Sequence, residues 1–132
     1  MWIARTFFAS LAFIILAGCT YGPTQDEITY GRYGEAPDQT KAEERAKSFF
    51  DDHLKDPESA RYQFSQAYKG WMYSNRFEGS IFYAGYIVEA KVNAKNTLGG
   101  YTGWNIYRLL FNGGALVRVV LISPQGVERT ML

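Results

Sequence analysis

Between residues 40 and 55 apolar side chains return every three or four positions, at Ala42, Ala46, Phe49, Phe50 and Leu54. That spacing predicts an amphipathic helix with these residues on one face and Glu43, Glu44, Arg45, Lys47, Asp51 and Asp52 mostly turned elsewhere. Thr40-Lys41-Ala42-Glu43 fits a capping box at its start, with Asp38 as the rival cap. The helix should stop at Lys55 or Asp56, because the residue before Pro57 is pushed out of the α region. Asp56-Pro57-Glu58-Ser59 then reads as a short turn with Asp56 as cap.

From Arg61 the period falls to two, the mark of strands with one buried face. Tyr62 and Phe64 alternate with polar neighbours, Trp71 to Tyr73 is a short ambiguous run, and Ser74-Asn75-Arg76 reads as a turn. The clearest strand is Tyr86 to Lys95. It sets Tyr86, Val88, Ala90, Val92 and Ala94 against Glu89, Lys91, Asn93 and Lys95. A Gly-rich connection over 96–103 leads to a strand from Trp104 to Phe111. Asn112-Gly113-Gly114 makes a hairpin turn into the most apolar strand, Ala115 to Ile122. Ser123-Pro124-Gln125-Gly126 is a last turn before a short edge strand over Val127 to Leu132. The fold class is α+β: one N-terminal amphipathic helix packed on an antiparallel meander of about four to five strands.

Ahead of the helix, Thr20 to Pro37 is rich in Gly, Pro and polar residues and lacks sustained periodicity, so it reads as a flexible tether. Tyr21, Tyr30 and Tyr33 either dock on the domain or a partner, or belong to a solvated linker. Further upstream, Arg5 precedes an uncharged apolar run from Thr6 to Gly18, the layout of a secretory signal. A helix of about a dozen residues falls well short of the roughly 30 Å hydrocarbon core, which disfavours a permanent span.

The run ends in Leu16-Ala17-Gly18-Cys19, which resembles the lipobox of bacterial lipoproteins. The resemblance implies that the leader is removed, that a diacylglycerol is attached to Cys19 and that the freed amine is acylated, with palmitate-type chains holding the protein on the membrane. Cys19 is the only cysteine in the 132 residues, so no intramolecular disulfide can form, and lipidation accounts for an unpaired thiol in an exported chain. One acyl chain binds reversibly whereas two or three hold firmly. The expected organisation is a signal peptide over 1–18, a lipidated N-terminus and tether over 19–38, and one α+β domain over 39–132. Thr20 stands where an Asp resembles an inner-membrane retention signal, so outer-membrane placement facing the periplasm is expected.

Without the leader the basic groups, all but Arg5, equal the acidic ones, and no Lys/Arg block remains. That balance argues against nucleic acid as a partner, which needs clustered positive charge. It also leaves membrane attachment to the acyl chains. A second resemblance lies in Leu54-Lys55-Asp56-Pro57-Glu58-Ser59-Ala60-Arg61-Tyr62 and in Val92 to Gly103. These stretches are similar to the LKDPxSA and VNAKNxxGGYTG signatures of a group of small exported bacterial proteins. The resemblance implies a shared α+β fold over roughly residues 45 to 110 and brings no activity with it.

Candidate chemistry is sparse. His53 is the only histidine and reads as a partly exposed helix residue. Asp51, Asp52 and Asp56 project in different directions and read as a solvated acidic face rather than a cation site. Gly99-Gly100-Tyr101-Thr102-Gly103 lacks the Lys and the following helix of a phosphate loop. No catalytic residue, metal or cofactor is assigned, and the chain is not expected to be an enzyme. The segment Asn93 to Trp104 gathers amide, cationic and aromatic groups on a connection, and Asn93, Lys95, Asn96, Tyr101, Thr102 and Trp104 are the candidate partner-binding residues. The bland alternative is that the glycines satisfy turn geometry while Tyr101 and Trp104 cover the sheet edge. The expected function is a binding or structural component of the bacterial envelope, accessory to a secretion or envelope assembly. A periplasmic inhibitor of an enzyme such as a cell-wall hydrolase, and an enzyme whose site the sequence does not reveal, are the alternatives.

Overall fold

Thr24 and Glu27 cap one another, the Thr24 hydroxyl accepting from Glu27 N and the Glu27 carboxylate accepting from Thr24 N. This reciprocal pair starts a six-residue helix, α1 (Gln25–Tyr30), in the computed structural model, which describes residues 21–132. The leader, Cys19 and Thr20 lie outside the described residues. From Tyr21 onward the stretch expected to be a tether is structured. Tyr21 donates its hydroxyl to Ser74 O at 2.6 Å, and Tyr33 donates to Ile28 O at 2.7 Å. Asn112 Nδ2 donates to Arg32 O at 2.7 Å, and the Lys69 ammonium sits 4.2 Å from the centre of the buried Tyr33 ring. The Gly and Pro content that suggested a linker instead serves a folded strap held by its tyrosines. The expected single helix is therefore the second of two among the described residues.

Helix α2 runs Gln39–His53, with Asp38 rather than Thr40 as N-cap, its carboxylate accepting from Lys41 N at 3.0 Å. It ends ahead of the expected Lys55 or Asp56, because Leu54 already adopts an extended backbone that leads into the sheet. Its buried residues, Ala42, Ala46, Phe49 and Phe50, are those of the apolar stripe.

The sheet is antiparallel throughout, with six strands: β1 (Asp56–Phe64), β2 (Tyr68–Tyr73), β3 (Phe82–Lys95), β4 (Asn105–Asn112), β5 (Ala115–Ile122) and β6 (Glu128–Thr130). β3 lies between β4 on one side and, on the other, β1 and β2 placed end to end; β5 and β6 follow beyond β4. β1 and β2 are thus one edge strand broken at residues 65–67, which is why six strands occupy five positions where four to five were expected. The expected turn at Asp56 to Ser59 survives as an irregularity inside β1, where Ser59 Oγ donates to Asp56 O at 2.8 Å and the pairing with β3 shifts register. Between β4 and β5, Gly113 and Gly114 take φ of +57° and +79°, the positive pair that a two-residue hairpin of matching twist requires.

Alternation on β3 decides the layers. Val88, Ala90 and Val92 join Tyr107, Leu109, Phe111 and Val119 under α2 in the main core. The other face holds a smaller core of Met72, Ile87, Leu110 and Val120. The β2–β3 connection, with a one-turn 3-10 helix over Arg76–Glu78, reaches across that face to bond Arg118 of β5.

Candidate functional site

The connection between β3 and β4 is built by its own polar groups. Asn96 Oδ1 accepts from Leu98 N at 3.0 Å and Gly100 N at 3.1 Å, while Asn96 N donates to Gly100 O at 2.8 Å. Thr102 donates to Ala94 O through both its amide and its hydroxyl, and Gly103 N donates to Asn93 Oδ1 at 3.2 Å. Tyr101 donates to Ser59 O at 3.2 Å, which ties the loop to β1. Its ring lies between two cations, the Arg61 guanidinium at 4.7 Å and the Lys95 ammonium at 5.5 Å from its centre. The loop is thus fixed in shape by the chain's own hydrogen bonds, and Leu98 stands at its tip 92% exposed.

All six residues singled out in the sequence gather at this end of the sheet, in two roles. Asn93, Asn96 and Thr102 hold the loop together through their side chains. Lys95, Tyr101 and Trp104 offer surface, Trp104 being 47% exposed. Register adds Arg61, Gln63 and Lys91. Gln63 pairs with Lys91 and Arg61 with Asn93 across β1 and β3, and Lys91 pairs with Ile106 of β4. Gln63, Lys91, Trp104 and Ile106 line an open hollow of 290 Å³ on the helix-free face. The result is an aromatic and cationic surface. Its nearest carboxylate along β3, Glu89, is already engaged by Arg108 at 3.5 Å and by the Tyr68 hydroxyl at 3.1 Å. Leu98 was not singled out in the sequence, although an apolar side chain inside a Gly-rich turn is a signal that could have found it, whereas Arg61 and Lys91 became neighbours of the loop only through strand register.

Behind the loop, between it and the end of α2, a cavity of 170 Å³ is lined in part by His53, Lys55, Lys95, Asn96 and Asn105. The His53 ring stacks on Phe49 with centroids 4.0 Å apart and donates from Nδ1 to Phe49 O at 2.7 Å. Among the described residues no three His, Cys, Asp or Glu side chains gather as metal ligands. The perturbed groups lie elsewhere. Burial raises Tyr62 and Tyr107 above the usual phenol range, and the Tyr62 hydroxyl finds no partner among the described residues. The Arg118 hydrogen bond, followed by that from Thr130, holds Glu78 below the usual carboxylate range.

Among the described residues no helix is long and apolar enough to cross a membrane. No protein-family model matches the chain, and neither a curated protein nor a solved structure is significantly similar to it.

Proposed function

We propose that the chain is a lipid-anchored binding component of the bacterial cell envelope, held on the outer membrane through Cys19 and offering the 96–103 end of its sheet to an envelope protein. The observation that carries the reading is the separation of its two ends. Tyr21, two residues from Cys19, bonds Ser74 at one end of the β2–β3 pair, whereas the preformed loop follows Lys95 at the other. β3 has 14 residues, which at roughly 3.3 Å each spans roughly 45 Å. A partner site so far from an anchor is held clear of the bilayer yet cannot diffuse away.

The chemistry of the loop end suits protein recognition. Trp and Tyr combine large contact area with polar edges, and the flanking Arg61, Lys91 and Lys95 favour an acidic partner surface. A preformed loop also lowers the ordering cost of association.

Metabolic labelling with a fatty acid tests the anchor. The wild-type chain should take up label, migrate as a processed form and fractionate with outer membranes. Cys19→Ser should stay unlabelled and uncut. Labelling and normal maturation of Cys19→Ser would refute the anchor, and recovery with inner-membrane markers would refute the placement.

A further inference from the structure

The β2–β3 connection carries large apolar side chains that the fold leaves uncovered. Phe77, in its 3-10 turn, is 102% exposed, and Ile81, where the chain returns to β3, is 46% exposed. The turn that presents them is rigid. Asn75 caps it by accepting from Glu78 N at 2.9 Å, Ser74 Oγ accepts from Ile81 N at 2.7 Å, and Glu78 is held by Arg118 and Thr130. A fully exposed Phe on a fixed turn loses little conformational entropy on entering an apolar medium, so burial there would be favourable.

Tyr21 identifies the medium. Its hydroxyl bonds Ser74 O, its ring packs edge-on against Tyr73 at 5.5 Å, and the Arg76 guanidinium lies 5.3 Å from its centre. Tyr21 is separated from Cys19 by one residue. Two Cα–Cα steps reach no more than roughly 7 Å. Lipid on Cys19 therefore brings the bilayer to the side of this turn.

We infer that the 74–81 turn is a membrane-docking tip, with Phe77 and Ile81 entering the interface of an anionic phospholipid surface and Arg76 meeting its phosphates. Tyr21 and Tyr73 then sit at headgroup depth, where the amphipathic rings of tyrosines are favoured. Lipid and tip together fix the long axis of the sheet away from the bilayer. The inference rests on lipidation of Cys19, and it adds a second, orienting contact that the lipid alone does not supply.

The test uses the full-length lipidated protein in vesicles of phosphatidylethanolamine and phosphatidylglycerol. Phe77→Cys and Leu98→Cys each supply a single free thiol, since Cys19 is the only native cysteine and its sulfur is in thioether linkage. Both positions are exposed, so both variants should melt as the parent does. Each is labelled with an environment-sensitive fluorophore and quenched by lipids spin-labelled near the headgroup. The expected result is a blue-shifted probe at position 77, quenched several-fold more strongly than the probe at position 98. Equal, water-like emission at both positions in protein that floats with the vesicles would overturn the docking tip while leaving the anchor intact. Failure to float would overturn the anchor and the tip together.

Discussion

Glu78 and Arg118 meet 40 residues apart in sequence across the helix-free face of the sheet. Thr130 closes the group, accepting from Arg118 Nη2 and donating to Glu78 Oε1, each at 2.9 Å. The Arg118 side chain is 8% exposed and that of Glu78 32%, so the pair locks the β2–β3 connection over the smaller core with its cation well out of water. Breaking it strands the cation. Glu78→Gln should cost about 2 kcal/mol at neutral pH, below the roughly 3 to 5 of a fully buried pair because solvent reaches Glu78.

The same pair sets an acid limit on stability. Because the folded pKa of Glu78 is lowered from its ordinary 4.5, its contribution is fully present above that value and disappears as pH falls through the lower folded one. Denaturant midpoints measured from pH 7 downward should decline below pH 4.5 more steeply in the parent than in Glu78→Gln. Parallel curves would show that the carboxylate does not contribute through this linkage.

Phe50 lies beneath the sheet at 1% exposure, edge-on to Tyr107 with ring centres 4.8 Å apart. Phe50→Ala should cost about 3 to 5 kcal/mol, a large share of the roughly 5 to 15 available to a small domain. Thermal melting of a soluble chain beginning at Tyr21 measures this, and an unchanged melting point would contradict the packing of α2 on the sheet.

The break in the edge strand is closed by a side chain. Gln39 donates from Nε2 to Ser65 O and accepts at Oε1 from Ala67 N, both at 3.0 Å, in the place a neighbouring strand would occupy. Gln39→Ala should lower stability by about 1 to 2 kcal/mol for the two bonds. It should also raise concentration-dependent association, since the freed groups belong to an edge. Light scattering during a thermal ramp reports both effects.

How much of this was legible depended on whether one face of an element was polar. The α2 stripe and the alternation of Val88, Ala90 and Val92 were readable because their opposite faces meet solvent. Phe82 to Gly85 was missed as the start of β3 because that stretch has apolar or small residues at every position, which erases the period. The strap over 21–34 was read as linker because its order comes from single long-range bonds, Tyr21 to Ser74 and Arg32 to Asn112, that leave no periodic trace. At the loop, residue types marked out six side chains that the fold brings to one end of the sheet. Which side chains hold the loop and which face outward was decided by hydrogen bonds that spacing does not encode.

Site-specific photo-crosslinking from position 98 of the full-length chain, in intact cells, tests the binding role most directly. Exposed aromatic anchors commonly contribute about 2 kcal/mol to an interface, so a Trp104→Ala and Lys95→Ala double variant should lose at least about tenfold in capture. The expected result is a discrete adduct with one envelope protein, weakened to that degree in the double variant while its melting point stays that of the parent. No adduct from a folded, lipid-labelled chain, or an adduct that the double variant leaves unchanged, would overturn the binding role of the loop end.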